Sequence, residues 1–208
     1  MDKTCLIFDI DGTLWDSRRI VAEGYNAQLK KEGREDLFVD VEILRKTFGK
    51  VMTEISDILF GTVPESERYA LMDRCMESQR IHMEEDPCQV GYPEVRETLE
   101  DLAERHRLFI VSNSQSGYPQ IAMSKLGIGD LIEDTLCYGD TGTQKGATIR
   151  TLMEKHHLTD AVYIGDTQGD LDASREAGLP FVWASYGFGT PEEWNYKIDT
   201  FAQLKELF

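Results

Sequence analysis

The sequence predicts an α/β protein with two parts: a core of parallel β-sheet with helices on both faces, and an inserted α-helical domain. Two observations support this. After about residue 90, short apolar runs alternate with stretches of helical period, which is typical of a parallel sheet. Between residues 17 and 88, apolar residues recur only at helical spacing. We therefore expect a core of residues 1–16 and 89–208 and a helical domain of residues 17–88.

The elements can be assigned in chain order. The apolar run 5–8 predicts a buried strand that ends in a turn at Gly12. In the insertion, glycines and Pro64 divide the pattern into about four helices, the last reaching about Glu85. The core then continues with helix 93–105, strand 108–111, helix 119–126, strand 135–138, helix 146–156, strand 161–164, helix 171–177 and strand 181–184.

Composition excludes several classes of protein. The chain of 208 residues has 38 acidic and 22 basic residues, a net charge of −16, which argues against nucleic-acid binding. No apolar run is long enough to span a membrane, and the N-terminus does not resemble a signal peptide. The cysteines lie far apart and predict neither a zinc site nor a disulfide framework: Cys5, Cys75, Cys88 and Cys137. We expect a cytoplasmic protein.

Reactive side chains follow three of the predicted strands directly. Asp9 and Asp11 follow the first, Ser112 follows strand 108–111, and the run 165–170 follows strand 161–164. Lys145 stands between the last two, at the start of a helix. Because the carboxyl ends of parallel strands meet at one edge of the sheet, these groups are predicted to form one site.

These residues resemble the four motifs of the haloacid dehalogenase superfamily, in order. Asp-Ile-Asp-Gly-Thr-Leu at 9–14 resembles the first motif, and Gly-Asp-Thr-Gln-Gly-Asp at 165–170 resembles the last. The helical insertion matches the position of the family's cap, and the core matches its Rossmann-like sheet. Phosphoglycolate-phosphatase-like members are most similar, partly because Asp16-Ser17 follows the first motif. The chain departs from many of them at Gly146, where they have proline.

The resemblance implies a Mg²⁺ site formed by the Asp9 side chain, the Asp11 carbonyl and the Asp166 side chain. Elementary electrostatics agrees, because converging carboxylates repel one another, and a hard divalent cation removes that repulsion. Asp170 is expected to hold Lys145 or an outer ligand of the metal.

The resemblance also implies a catalytic role for each remaining motif residue. Asp9 is expected to attack the phosphorus and form an aspartyl-phosphate, while Asp11 protonates the leaving alcohol and then activates water. The metal and Lys145 would neutralise phosphoryl charge. The other groups expected to bind phosphate oxygens are the Ser112 hydroxyl and backbone amides near Gly12 and Asn113.

Three basic residues are candidate substrate contacts, because they follow the first motif or lie in a loop of the insertion: Arg18, Arg19 and Lys50. A second Gly-Asp-Thr sequence follows strand 135–138, but Gln144 stands where the second acid of the motif should be. We therefore interpret Asp140 as a turn residue. The segment 186–189 follows the last strand and is expected to pack rather than to border the site.

The predicted function is Mg²⁺-dependent hydrolysis of a small phosphorylated metabolite. Asp11 disfavours two other activities of the superfamily, because dehalogenases lack this acid and phosphonatases have a different residue there. A sugar phosphomutase, a pyrophosphatase or a nucleotidase stays open. So does a protein of another class, a non-catalytic binder of phosphorylated metabolites. The sequence predicts neither the physiological substrate nor the oligomeric state.

Overall fold

The structure is a computed structural model that describes residues 4–87 and 90–208. The chain forms two compact units, Met1–Asp16 with Gln89–Phe208 and Ser17–Cys88. Cys88, the predicted boundary at residues 88–89 and the first three residues lie outside the described residues. Among the described residues, no helix combines the length and the apolar character that a membrane span requires.

The first unit contains a six-stranded sheet in which every neighbouring pair is parallel, with the strand order β3-β2-β1-β4-β5-β6. The order confirms the predicted fold class, because successive strands are added on either side of β1. The strands are β1 (Cys5–Phe8), β2 (Arg107–Ser112), β3 (Asp134–Cys137), β4 (Ala161–Gly165), β5 (Phe181–Ala184) and β6 (Tyr196–Ile198).

The central strands are buried on both faces. Alternate residues of β1, β2, β4 and β5, such as Ile7, Phe109 and Tyr163, form one apolar cluster with Ile149 and Leu171. The helices of this unit are α5 (Val95–Arg105), α6 (Tyr118–Leu126), α7 (Tyr138–Thr141), α8 (Lys145–His156), α9 (Gln168–Ala177) and α10 (Leu204–Leu207).

On the opposite face, the Phe8 ring packs against Phe201, with ring centroids 5.8 Å apart. Burial on both faces leaves only the strand ends for polar groups. Reactive side chains in this sheet are therefore confined to the ends of its strands.

The second unit consists of four α-helices and a short 3₁₀ segment at Glu35–Leu37. The helices are α1 (Arg18–Lys31), α2 (Val41–Thr47), α3 (Met52–Leu59) and α4 (Glu65–Glu85). Helices α1 and α4 approach closely at Gly24, where a side chain would overlap the backbone of Gln79. Arg74 of α4 also forms a two-point ion pair with Glu32, directly after α1, at 2.6 and 2.8 Å.

The structure differs from the prediction at the C-terminal end. Strand β6, the 3₁₀ segment Phe201–Gln203 and helix α10 were not predicted. Tyr196 and Lys197 are exposed, so β6 has only Ile198 buried and lacks the apolar alternation by which a strand is recognised. The predicted long helix ending at Glu85 is present as α4.

Candidate active site

The site is built at the carboxyl end of β1, where the backbone turns sharply. Asp9 continues the sheet by donating its amide to the carbonyl of Ile164 on β4 at 2.9 Å. Gly12 then has a φ of +85° and closes the turn by donating its amide to the carbonyl of Trp15. A side chain at Gly12 would overlap the carboxylate of Asp166, so the turn also needs glycine for space.

Lys145, the first residue of α8, connects two of the predicted acids. Its Nζ lies 2.8 Å from Oδ1 of Asp9 and 2.6 Å from Oδ1 of Asp170, and all three side chains are buried. Burial alone would lower the pKa of Lys145, but the charges of Asp170 and Asp9 raise it above its ordinary value. Lys145 is therefore a permanent positive charge between two carboxylates.

Further hydrogen bonds hold Asp170 in this network. Its Oδ2 accepts from the Thr167 amide at 2.9 Å, the Thr167 hydroxyl at 2.6 Å and the Asp166 amide at 3.2 Å. Burial favours its protonation, but Lys145 and Thr167 hold its pKa below the ordinary value. Asp170 and Thr167 also form the capping box that begins α9, which explains locally why this acid points back into the site.

Asp9 differs from Asp170, although both contact Lys145. Burial raises the pKa of Asp9 to about 7 against the lowering effect of Lys145, and the charge of Asp170 adds to the rise. The difference has a structural cause, because Asp170 accepts the additional bonds from the Thr167 loop. Of these two acids, Asp170 holds Lys145, whereas Asp9 is the carboxylate that a second cation would stabilise further.

Asp166 is fully buried, and its two carboxylate oxygens differ in their hydrogen bonding. Its Oδ2 accepts from the Phe188 amide at 2.6 Å, whereas its buried Oδ1 has no hydrogen-bond partner among the residues that the structure describes. Burial and the charges of Asp170 and Asp9 raise the pKa of Asp166 well above its ordinary value. The segment 186–189 thus borders the site instead of merely packing, and a side chain at Gly187 would overlap Asp166.

These carboxylates fit a divalent cation. One oxygen from each of Asp9, Asp166 and Asp170 lies within 4.8 Å of the other two. Because Asp170 is already engaged by Lys145 and Thr167, the acids that can hold a cation are Asp9 and Asp166, including the unpartnered Oδ1. Oxygen donors from one or two carboxylates, completed by water and phosphate, are what Mg²⁺ prefers.

Two neutral donors bind the side chain of Asp11. Its Oδ1 accepts hydrogen bonds from the Tyr118 hydroxyl at 2.7 Å and from Nε1 of Trp15 at 2.9 Å. Sequence analysis missed both donors. Trp15 lies close to Asp11 in the chain, but Tyr118 comes from the start of α6, and nothing in the sequence marks it as a partner of Asp11.

Ser112 is the last residue of β2, next to β1 in the sheet, and its side chain is buried. Its Oγ accepts from the amide of Ser114 at 3.3 Å, so the two residues that follow β2 curl back over the strand end. Asn113 lies within this turn. The Ser114 Oγ is buried and, within the described part of the chain, has no hydrogen-bond partner, so a second hydroxyl lies at this end of β2.

The basic candidates belong to the helical unit. Arg19 pairs with Glu23 at 2.7 Å and with Asp86 at 3.5 Å, and Lys50 pairs with Glu54 at 3.5 Å. Arg18 is the first residue of α1. Their role as substrate contacts stays a prediction.

The second Gly-Asp-Thr sequence, with Asp140, and the glycine at position 146 both have local structural explanations. Asp140 accepts from the Cys137 amide at 3.0 Å and from the Ser116 hydroxyl at 2.6 Å, so it caps the single-turn helix α7. At Gly146 the side chain of Glu176 on α9 fills the space that a Cβ would occupy. The close approach of α8 to α9 therefore favours glycine after Lys145.

Comparison with known proteins agrees with this arrangement. The family model of the haloacid dehalogenase-like hydrolases matches residues 6–184, which include Asp9, Asp11, Ser112, Lys145, Asp166 and Asp170. The chain belongs to the haloacid dehalogenase-like hydrolase family. The predicted resemblance and the prediction of an enzyme of the phosphatase type are thereby confirmed.

Similar members of this haloacid dehalogenase-like family include two phosphoglycolate phosphatases. The protein from Colwellia psychrerythraea is 28% identical and aligns over 98% of this chain and 96% of its own length. The protein from Cereibacter sphaeroides is 30% identical over 88% of this chain and 85% of its own length. A solved haloacid dehalogenase-like hydrolase from Streptococcus pneumoniae has the same fold, with a TM-score of 0.84, 20% identity, and coverage of 99% of this chain and 98% of its own.

Proposed function

We propose that this hydrolase is a Mg²⁺-dependent phosphatase that cleaves a small phosphate monoester through an aspartyl-phosphate on Asp9. The observation that carries the proposal is the buried Lys145 held between Asp9 and Asp170, beside the unpartnered oxygen of Asp166. Three carboxylates and one ammonium leave the site with an excess of negative charge. A divalent cation would offset that excess and allow an anionic substrate to approach an anionic nucleophile.

Mg²⁺ would be held by the side chains of Asp9 and Asp166 and by the backbone carbonyl of Asp11. When bound, the cation supplies charge neutralisation at the phosphoryl oxygens. This chain's own contribution is to hold Asp9 in place. Lys145 engages Oδ1 of Asp9, so we assign Oδ2 as the oxygen that attacks phosphorus.

The remaining groups divide the other tasks. Asp11 gives a proton to the leaving alkoxide as the bond from phosphorus to the ester oxygen breaks. It then removes a proton from the water that displaces Asp9 from phosphorus, which restores the Asp9 carboxylate and the protonated form of Asp11. The phosphoryl oxygens are assigned to Lys145, the Ser112 hydroxyl and the backbone amides of Gly12 and Asn113.

For the substrate class we propose a small phosphorylated carboxylic acid, because relatives aligned over most of the chain are phosphoglycolate phosphatases. The helical unit is assigned as the cap that selects the leaving group, with Arg18, Arg19 and Lys50 as its candidate anion contacts. A cytoplasmic location stays a prediction.

The test is phosphate release from phosphoglycolate and a panel of other phosphorylated metabolites, ranked by kcat/KM with Mg²⁺ present. We expect turnover that EDTA stops and that Asp9→Asn abolishes. Asp140→Asn is the matched control, because Asp140 also follows a strand but caps a helix outside the cluster; it should retain activity. Absence of turnover on every ester would favour a binding protein, and full activity of Asp9→Asn would refute the nucleophile.

The covalent intermediate can be tested separately. Borohydride reduces an acyl phosphate to an alcohol, so quenching during turnover should convert Asp9 to homoserine in the peptide mass spectrum. Modification of another acid, or of none during rapid turnover, would contradict the aspartyl-phosphate on Asp9.

A further inference from the structure

Two hydrogen-bond donors converge on one oxygen of Asp11. The Tyr118 hydroxyl lies 2.7 Å from Oδ1, and the indole Nε1 of Trp15 lies 2.9 Å from the same atom. These two donors to Asp11 are neutral, whereas the donor to Asp9 is the ammonium of Lys145. The two carboxylates of the first motif are therefore held by chemically different partners, which suits two different roles.

Both donors are held rigidly. Trp15 is fully buried and Tyr118 nearly so, and their rings meet edge to face with centroids 5.7 Å apart and an interplanar angle of 73°. Trp15 is also fixed through its backbone, which bridges to Asp11 on one side and to Gly91 on the other. Gly117, with a φ of +85°, turns the chain so that α6 begins at Tyr118.

The chemistry of the donors decides where Asp11 carries a proton. An indole N–H can only donate, so Oδ1 must accept from Trp15. The hydroxyl of Tyr118 fills the second acceptor site of the same oxygen. Because Oδ1 accepts from both donors, Oδ2 is the favoured oxygen for a proton on Asp11.

We propose that Tyr118 and Trp15 are positioning residues for Asp11 that fix Oδ1 as an acceptor and present Oδ2 as the proton-transfer atom. The inference rests on the proposed role of Asp11 in acid and base catalysis. In the first step, the bond from Asp9 to phosphorus forms, the bond from phosphorus to the ester oxygen breaks, and the Oδ2 proton passes to that oxygen. In the second, Oδ2 takes a proton from water while the water oxygen binds phosphorus and Asp9 leaves. The sum is ester plus water giving alcohol plus phosphate.

The dependence on the leaving group tests this role. Nitrophenolate departs without a proton, whereas the alkoxide of phosphoglycolate needs one. We expect Tyr118→Phe to slow the first turnover of phosphoglycolate about tenfold, and that of p-nitrophenyl phosphate less than about twofold. Release of phosphate after the nitrophenol burst should also slow, because Asp11 must still deprotonate water. Trp15→Phe, which removes the other donor, should show the same pattern.

Tyr186→Phe is the matched control. The Tyr186 hydroxyl is also partly buried and donates to the carbonyl of Thr13 at 2.8 Å, so the variant loses an equivalent bond that does not reach Asp11. Its ratio of rates for the two substrates should equal that of the unmodified enzyme. The indole ¹H–¹⁵N resonance of Trp15 gives a readout independent of turnover, and it should shift in Tyr118→Phe but not in Tyr186→Phe.

Asp11→Asn separates failure of this inference from failure of the proposed function. If Asp11→Asn slows phosphoglycolate turnover but Tyr118→Phe affects both substrates equally or neither, the positioning role is overturned and the function stands. An unmoved Trp15 resonance in Tyr118→Phe would overturn it as well. If Asp11→Asn hydrolyses phosphoglycolate at the full rate, the acid and base role itself is refuted.

Discussion

At the scale of single residues, Lys145 organises the site. It contacts acids from two different strand ends, Asp9 after β1 and Asp170 after β4, although 136 and 25 residues separate it from them in the chain. A buried ion pair contributes little net stability when it is complete, because both partners lose hydration. Its loss is costly, however, because a partner is left charged and unpaired in the interior.

Lys145→Met should therefore destabilise the protein by about 3–5 kcal/mol in urea unfolding and abolish phosphatase activity. Lys155→Met is the matched control, since Lys155 pairs with Asp134 at 2.7 Å but its side chain is 54% exposed. That change should cost less than about 1 kcal/mol and leave activity intact. Equal stability losses in the two variants would contradict the special status of the buried pair.

At the scale of elements, most of the fold could be predicted because the pattern is local. The strands β1, β2, β4 and β5 are uniformly apolar or nearly so, and the helices between them repeat apolar residues at helical spacing. Strand β6 could not be predicted, because its three residues have a single buried side chain, Ile198. Such a strand exists only because β5 presents unpaired backbone groups beside it.

Contacts between the helices of the second unit could not be predicted from the sequence either, and the pair of Glu32 and Arg74 gives a test. The hydrogen bonds of Arg74 and Gln28 lower the pKa of Glu32 to about 2. A carboxylate whose pKa is lower in the folded state contributes stability above its unfolded pKa and loses it as the pH falls through the folded pKa. For Glu32, this stability is therefore lost as the pH falls from about 4.5 to about 2.

A double-mutant cycle of Glu32→Gln and Arg74→Met, measured by urea unfolding, should give a coupling energy of about 0.5–1 kcal/mol at pH 7. The expected coupling energy is small because solvent screens the charges of this partly exposed pair. The coupling should shrink as the pH approaches 3. A coupling that grows on acidification, or is absent at pH 7, would show that the pair does not connect α1 and α4.

At the scale of the whole molecule, a net charge of −16 accompanies a site rich in buried acids. The proposed substrate is an anion, so the proposed function requires a cation among these acids. Cation binding to the folded state also raises stability by mass action. The proposed metal site can therefore be tested without turnover.

At about 100 times its Kd, Mg²⁺ should raise the Tm by about 5–10 °C. Asp166→Asn should abolish the rise, because it removes the charge and a ligand oxygen. Asp172→Asn makes the same substitution on the exposed side of α9 and should preserve the rise. An undiminished rise in Asp166→Asn would place the cation elsewhere.

By itself the sequence determined the fold class, the helical insertion and the positions of the reactive groups. It could do so because the spacing of apolar residues is a local property of the chain, and because the carboxyl ends of parallel strands lie side by side in the sheet. The resemblance already implied that Asp170 holds either Lys145 or an outer ligand of the metal, and the structure shows the bond to Lys145. Only the tertiary structure decided the partners of the other acids: Lys145 for Asp9, the Phe188 amide for Asp166, and Tyr118 with Trp15 for Asp11. Tyr118 lies 107 residues from Asp11, and no short-range pattern encodes a hydrogen bond between residues so far apart in the chain.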